Sequence, residues 1–349
     1  MKILHVVNDL GLGGIQTMLV NIVNKQSLYA DVYVLVINDL YSKELVDLFS
    51  PNVKIVYNKR PVGSKSPLHL IRLNYHALRI RPDVIHLHNT VMWRYLIHPL
   101  IRCPFFVTVH DVYNKETPFQ CINKFKTVFA ISESVRQSIL EHSGKESVVV
   151  ENGILVDGFK KRSLEKKTIH RFVQVSRLET QRKGQHLLMK ALDIFHSRHP
   201  EYEFTLDFIG DGSSRGMLEK TASEMKWVDK IHFLGSQSQT YLYENLCNYD
   251  LVIQPSLFEG FGLTIAEAMA AQVPVLIADN DGPMKIIENG KFGQFFKCGD
   301  ADDCASKIES IVYNDFPHDV VEKAHEHVRI NYDISNTARA YYEYYSKAL

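Results

Sequence analysis

Two carboxylates, Glu259 and Glu267, flank a glycine loop in Glu259-Gly-Phe-Gly-Leu-Thr-Ile-Ala-Glu-Ala-Met269. The apolar run Asp250-Leu-Val-Ile-Gln254 before it reads as a buried strand that Pro255 ends. Leu263 to Ala271 reads as a packed helix. Gly260 and Gly262 carry no Cβ, so the backbone there can approach a ligand closely. A helix starting at this point aims the amides of Leu263 and Thr264, and a partial positive charge, at whatever lies beyond, which suits a phosphate. The carboxylates would repel phosphate oxygens but accept well from sugar hydroxyls. Either Glu could merely favour the helix start. Glu267, however, lies in Thr-Ile-Ala-Glu-Ala-Met-Ala, a setting too apolar for an idle carboxylate, which favours a functional role.

Other residues able to do chemistry stand at strand ends. His86-Leu-His88 ends one strand and His110-Asp111 the next. These could be structural histidines or metal ligands, but carboxyl ends of parallel strands point into a ligand crevice, and that favours a site. Gly11-Leu-Gly-Gly14 follows the strand Ile3–Val7 and opens a helix, although Gln16 stands where a dinucleotide fingerprint wants Gly or Ala. Val173-Gln-Val-Ser-Arg-Leu178 runs into a loop, Arg182-Lys-Gly184 opens the next helix, and Thr205-Leu-Asp-Phe-Ile-Gly-Asp-Gly212 ends a strand in a glycine turn.

Glu259-Gly-Phe-Gly-Leu-Thr with Glu267-Ala-Met resembles the signature of the retaining, family-four glycosyltransferases of GT-B fold, and the match extends along nearly the whole chain. The resemblance implies two Rossmann-like domains facing across a cleft, with the donor held mainly by the second. It implies that Gly13 and Gly14 shape the acceptor and sugar-phosphate site, and that His110, in Val107-Thr-Val-His-Asp111, contacts the donor sugar or phosphate. Arg177 and Lys183 match the family's strand-end Arg and downstream Lys. Such cations suit a departing diphosphate, the Arg as a fork and the Lys as a point charge. Gly210 falls where the family's turn nears the nucleotide. Glu259 would bind the sugar, Glu267 the ribose, and Gly262, Leu263 and Thr264 the donor phosphates. No metal or other cofactor is expected: Asp279-Asn-Asp281 looks like a metal-binding DxD, but the other motifs are GT-B. Lys285 replaces the family's Glu.

To position these residues the chain must fold as α/β domains. Strand candidates at Asp31–Ile37, Lys54–Tyr57, Val84–Leu87, Phe105–Val109 and Thr127–Ile131 alternate with helical segments, as in a doubly wound parallel sheet. At 349 residues two domains are expected: 1–160 for acceptor, 161–330 for nucleotide-sugar, and 331–349 as a helix packing back on the first. The charged segment from Lys160 to Thr168 reads as the linker.

Formal net charge is zero, which gives no global attraction to nucleic acid, but residues 1–155 hold 17 Lys and Arg against 12 Asp and Glu. Much of that excess lies between Lys59 and Pro82, a stretch with no acid. Leu68, Ile71, Tyr75 and Leu78 recur there at helical spacing, either as a core stripe or as a helix lying on an anionic membrane. Five scattered cysteines suggest reduced thiols in a cytosolic protein, and no apolar run is long enough to span a membrane.

Together these features lead us to expect transfer of a sugar from a nucleoside diphosphate donor, UDP first, to a glycan or lipid-linked acceptor in surface-polysaccharide synthesis. It would take place at the inner membrane face. A GT-B nucleotide-sugar epimerase and a non-catalytic nucleotide- or glycan-binding protein are the alternatives.

Overall fold

A computed structural model of the chain describes residues 1–11, 13–96, 100–110, 112, 121–163, 168–314 and 316–349. The chain divides into two compact units, residues 1–154 with 334–349, and residues 155–333.

In unit 1, strand and helix alternate from the start: β1 (Lys2–Val7), α1 (Gly14–Gln26), β2 (Asp31–Asn38), α2 (Lys43–Val46), β3 (Lys54–Arg60), α3 (Pro67–Ile80) and β4 (Val84–Leu87). Then come β5 (Phe105–Val109), β6 (Thr127–Ala130), α4 (Glu133–Ser143) and β7 (Val148–Val149). The strands form one sheet in the order β3-β2-β1-β4-β5-β6-β7, every pairing parallel. Near-continuous runs such as Val34-Leu-Val-Ile37 are buried throughout, as strands covered on both faces must be. Leu19, Val20 and Val23 of α1 join Val34, Val36 and Val53 in one core cluster. Burying each such side chain contributes about 1.5–3 kcal/mol.

Unit 2 repeats the plan with β8 (Arg171–Val175), α5 (Thr180–Lys183), α6 (Gln185–Arg198), β9 (Thr205–Ile209), α7 (Arg215–Ser223), β10 (Ile231–Phe233) and α8 (Gln239–Asn245). It continues through β11 (Leu251–Gln254), α9 (Leu263–Ala270), β12 (Val275–Ala278), α10 (Asp281–Ile286), β13 (Gln294–Phe296), α11 (Ala301–Asn314) and α12 (His318–Asn331). Its parallel sheet runs β10-β9-β8-β11-β12-β13. The central position of β8 puts the loop carrying Arg177 beside the ends of β9 and β11.

The last helix, α13 (Ile334–Ser346), belongs to unit 1. It packs along α1, and its Tyr341 and Tyr345 are wholly buried. Gly153 marks where the chain re-enters: a Cβ there would lie 2.7 Å from the Ile334 Cα. Residues 155–160, expected in the first domain, pack with the second, since the Lys160 amide donates to the Tyr243 carbonyl. The expected linker also holds a buried residue. Arg162 pairs with Asp250 at 3.2 Å, and that carboxylate accepts from the His170 and Arg171 amides as well.

Candidate active site

In unit 2 the sequence-predicted groups converge at the carboxyl ends of the strands. Beyond β8, Ser176 and Arg177 turn the chain toward α5, and Gln185 Nε2 donates to the Arg177 carbonyl at 2.8 Å. Gly210 closes β9 with φ +136°, and a Cβ there would overlap the Ser176 carbonyl oxygen. That contact demands glycine on two grounds, conformation and space. Gly262 caps α9 with φ +102°, and the first turn after it places Leu263 and Thr264 at the helix start. Lys183, at the end of α5, sits under the same loop. Its Nζ donates to Glu259 Oε2 at 2.5 Å, and both side chains are largely buried. Arg177 is exposed and pairs with Glu179 at 3.2 Å. The geometry therefore leaves one cation reaching into solvent and holds the other against the loop carboxylate.

Glu267 occupies the fifth position of α9 and is buried. Burial raises its carboxyl to about 7, against the opposing pull of a 3.0 Å hydrogen bond from Gln239 Nε2. Sequence reasoning missed Gln239, which opens α8 far from the motif. It also passed over Gln174 and Gln254, buried polar residues inside the strand runs, whose side-chain oxygens find no partner among the described residues. Their signal was visible as polar interruptions in Val173-Gln-Val and Val-Ile-Gln254. Asp279 is taken up structurally: its Oδ1 accepts from the Cys298 amide at 2.6 Å.

Unit 1 gathers four histidines. His5 on β1, His86 on β4, and His88 and His110 just past the ends of β4 and β5 form a stack with ring centroids 4.7–5.7 Å apart. His5 Nδ1 meets His88 Nε2 at 3.1 Å and its Nε2 meets Gln26 Oε1 at 2.8 Å. His86 bonds the Tyr345 hydroxyl and Thr108, which donates in turn to Tyr341. Burial lowers His5 and His110 to about 4 and holds His86 and His88 well below the usual range. All four are thus neutral near pH 7, so His110 would meet a ligand as a neutral imidazole rather than a cation. Both of its ring nitrogens are buried without a partner among the described residues. His5, His86 and His88 each offer a nitrogen within 4.8 Å of the others, and both nitrogens of His86 are already bonded, so a metal there would displace either the Tyr345 or the Thr108 bond. Asp111, next to His110 in the sequence, lies outside the described residues.

Gly13 and Gly14 start α1. Gly13 is extended (φ 176°), and a Cβ there would meet only the flexible end of Gln16, so neither backbone strain nor rigid crowding explains it. The stripe Leu68, Ile71, Tyr75 and Leu78 is not core: Leu68 is 70% and Ile71 63% exposed, while Leu73, Ala77 and Ile80 face inward. Among the described residues no helix is long and apolar enough to cross a membrane.

Comparison with known proteins identifies the fold and the family. A phosphatidyl-myo-inositol mannosyltransferase of Mycolicibacterium smegmatis is 27% identical over 253 residues, covering 67% of this chain and 63% of that protein. A lipopolysaccharide core biosynthesis glycosyltransferase, LpsE of Rhizobium meliloti, is 31% identical over 147 residues, covering 42% of this chain and 41% of the other. Each alignment therefore spans less than two thirds of the relative's length. The crystal structure of Anabaena Alr3699/HepE in complex with UDP and glucose superposes with a TM-score of 0.81 at 21% identity, covering 99% of both chains. The fold is accordingly GT-B, built from two Rossmann-like parallel-sheet units. The profile of Glycosyltransferase Family 4 matches residues 12–157 and that of Glycosyl transferases group 1 matches residues 157–327. With both units matched in sequence order, the chain belongs to the group 1, family 4 glycosyltransferases.

Proposed function

We propose that the chain transfers a hexosyl or N-acetylhexosaminyl residue from a nucleoside diphosphate sugar, UDP-linked, to a glycan or lipid-linked acceptor, with retention at the anomeric carbon. The arrangement of Lys183, Glu259 and the Leu263 and Thr264 amides around one loop carries this reading. The relatives named for mannosyl and lipopolysaccharide core transfer, and a fold neighbour crystallised with UDP, support it. As the glycosidic bond breaks, negative charge grows on the leaving diphosphate. Lys183, Arg177 and the α9 amides stabilise that charge. Lys183 reaches it by exchanging its Glu259 contact for phosphate, which frees Glu259 to accept from sugar hydroxyls. Glu267 accepts from the ribose, and His110 offers an uncharged N–H to the sugar or its phosphate. The acceptor hydroxyl attacks from the leaving-group side and its proton passes to the departing phosphate, so the step calls for neither an enzyme nucleophile nor a metal.

The exposed apolar row of α3, flanked by Arg72, Arg79 and Arg81, suits peripheral contact with an anionic cytoplasmic membrane face, where a lipid-linked surface-polysaccharide acceptor would be met. Thermal unfolding with saturating UDP, GDP, ADP and CMP tests the donor assignment. Ligand at about a hundred times its dissociation constant stabilises by about 2.7 kcal/mol. A midpoint shift of several degrees with UDP alone is expected, and no shift with any nucleotide defeats the proposed donor site.

A further inference from the structure

Unit 1 contains a cavity of about 180 Å³ at the carboxyl ends of β2 and β3, walled in part by Asn58, Arg60, Lys65, Ser66, Leu73 and Tyr95. Its electrostatics are one-sided. The Arg60 guanidinium spends its bonds on neutral acceptors, the Ser64 carbonyl at 2.6 Å and Asn38 Oδ1 at 2.9 Å. Arg72, behind Asn58, likewise bonds the Asn58 and Lys59 carbonyls and Asn58 Oδ1. Among the described residues Lys65, which is exposed, enters no ion pair, and no carboxylate lines the space. Two lining cations, Arg60 and Lys65, neither with a charged partner among the described residues, form a site that gains by admitting an anion. Ser66, which starts α3 without a side-chain cap bond, leaves its hydroxyl for that anion too. Leu73 and the Tyr95 ring add apolar surface to the lining. Neighbouring Leu70 lines the cavity and is also exposed, so it connects the cavity to the Leu68 and Ile71 surface.

We propose that this cavity binds the phosphate group of an amphiphilic acceptor: the phosphate enters between Arg60 and Lys65, and the hydrocarbon chain runs out over Leu70 onto the exposed row of α3. The assignment rests on the acceptor reading given above and narrows it to lipids bearing a phosphomonoester or phosphodiester. The space holds a head group, not a whole lipid, which leaves the chain to the outer face.

The test uses the full chain with phosphatidylcholine vesicles, with and without phosphatidate, read by co-sedimentation, and glycerol 3-phosphate as a soluble competitor. Lys65→Glu removes the free cation. Ser66→Phe fills the cavity without changing charge. Lys126→Glu is a charge-matched comparison on an exposed lysine at the amino end of β6, away from the cavity and from α3. Both cavity variants are expected to weaken phosphatidate-dependent binding at least about tenfold, and Lys126→Glu by less than about threefold. Displacement by glycerol 3-phosphate supports recognition of the phosphate itself. Loss in the variants without such displacement supports recognition of the lipid form. Unaltered binding by Ser66→Phe, or equal losses in Lys65→Glu and Lys126→Glu, overturns the cavity and leaves only a charged surface; so does a wild type indifferent to phosphatidate. The UDP-induced thermal shift, recorded on the same preparations, reports folding and the donor reading separately. If that shift persists while the cavity variants bind normally, the cavity fails and the donor reading stands.

Discussion

At the scale of single residues, the donor-side groups differ in what their loss should reveal. Arg177 is exposed and, among the described residues, its side chain makes a surface pair with Glu179, so Arg177→Ala should fold normally and lose about 10²–10³ in turnover, the cost of one preorganised charge stabiliser. Steady-state kinetics with near-normal kcat would sink its role. Glu267 gives a pH signature. Burial raises its carboxyl from the ordinary value to about 7, so the folded chain binds this proton more tightly than the unfolded chain does. Stability from this group is therefore present at low pH and lost as pH rises from about 4.5 to 7, at up to about 1.4 kcal/mol per pH unit. Urea unfolding of unit 2 at the two ends of that window should show the loss, and Glu267→Gln should abolish it while weakening nucleotide binding. Persistence of the same pH dependence in Glu267→Gln would assign it to another group.

Among the elements, the histidine stack couples β1, β4 and β5 to α13 through His86, Thr108, Tyr341 and Tyr345. Four buried neutral imidazoles have folded values below the unfolded one. The unfolded chain consequently takes up more protons below about pH 6.5, and unit 1 loses stability as pH falls from there toward 4. Hydrogen exchange at α13 and thermal unfolding at pH 7 and pH 5 should show unit 1 weakening in acid. His86→Phe should flatten that dependence while costing about 1–3 kcal/mol at pH 7, because the Tyr345 and Thr108 hydroxyls lose a buried partner. Acid sensitivity unchanged in His86→Phe counts against the stack as its source.

On the scale of the whole molecule, a unit that opens the chain also needs its end. Removing residues 334–349 strips Tyr341 and Tyr345 from the unit 1 core, and each buried aromatic lost costs about 3–5 kcal/mol. The truncated chain should lose cooperative unfolding of unit 1 in calorimetry yet keep the UDP-dependent transition of unit 2. Survival of both transitions would show α13 to be dispensable.

Periodicity and punctuation made much of this legible in the sequence. Apolar runs alternating with helical segments announced a parallel sheet in the first half, the family resemblance implied the second, and the Gly260–Gly262 loop announced a helix start beside Glu259. Such signals are local, since strand burial and glycine geometry are written within a few residues. Other features depend on residues distant in the chain and brought together only by folding. The Lys183–Glu259 pair joins residues 76 positions apart, and Gln239 meets Glu267 across two loops. Helical spacing could not say whether Leu68 and Ile71 faced core or solvent, because a stripe has the same period on either side. Nor could spacing show that four histidines share one neutral stack, since protonation follows from burial, and burial is a property of the folded unit. The sequence by itself determined the kinds of groups present and the strand ends that carry them. Which of those groups touch, and in which charge state, was decided by tertiary structure, because contact and desolvation arise only when distant segments pack.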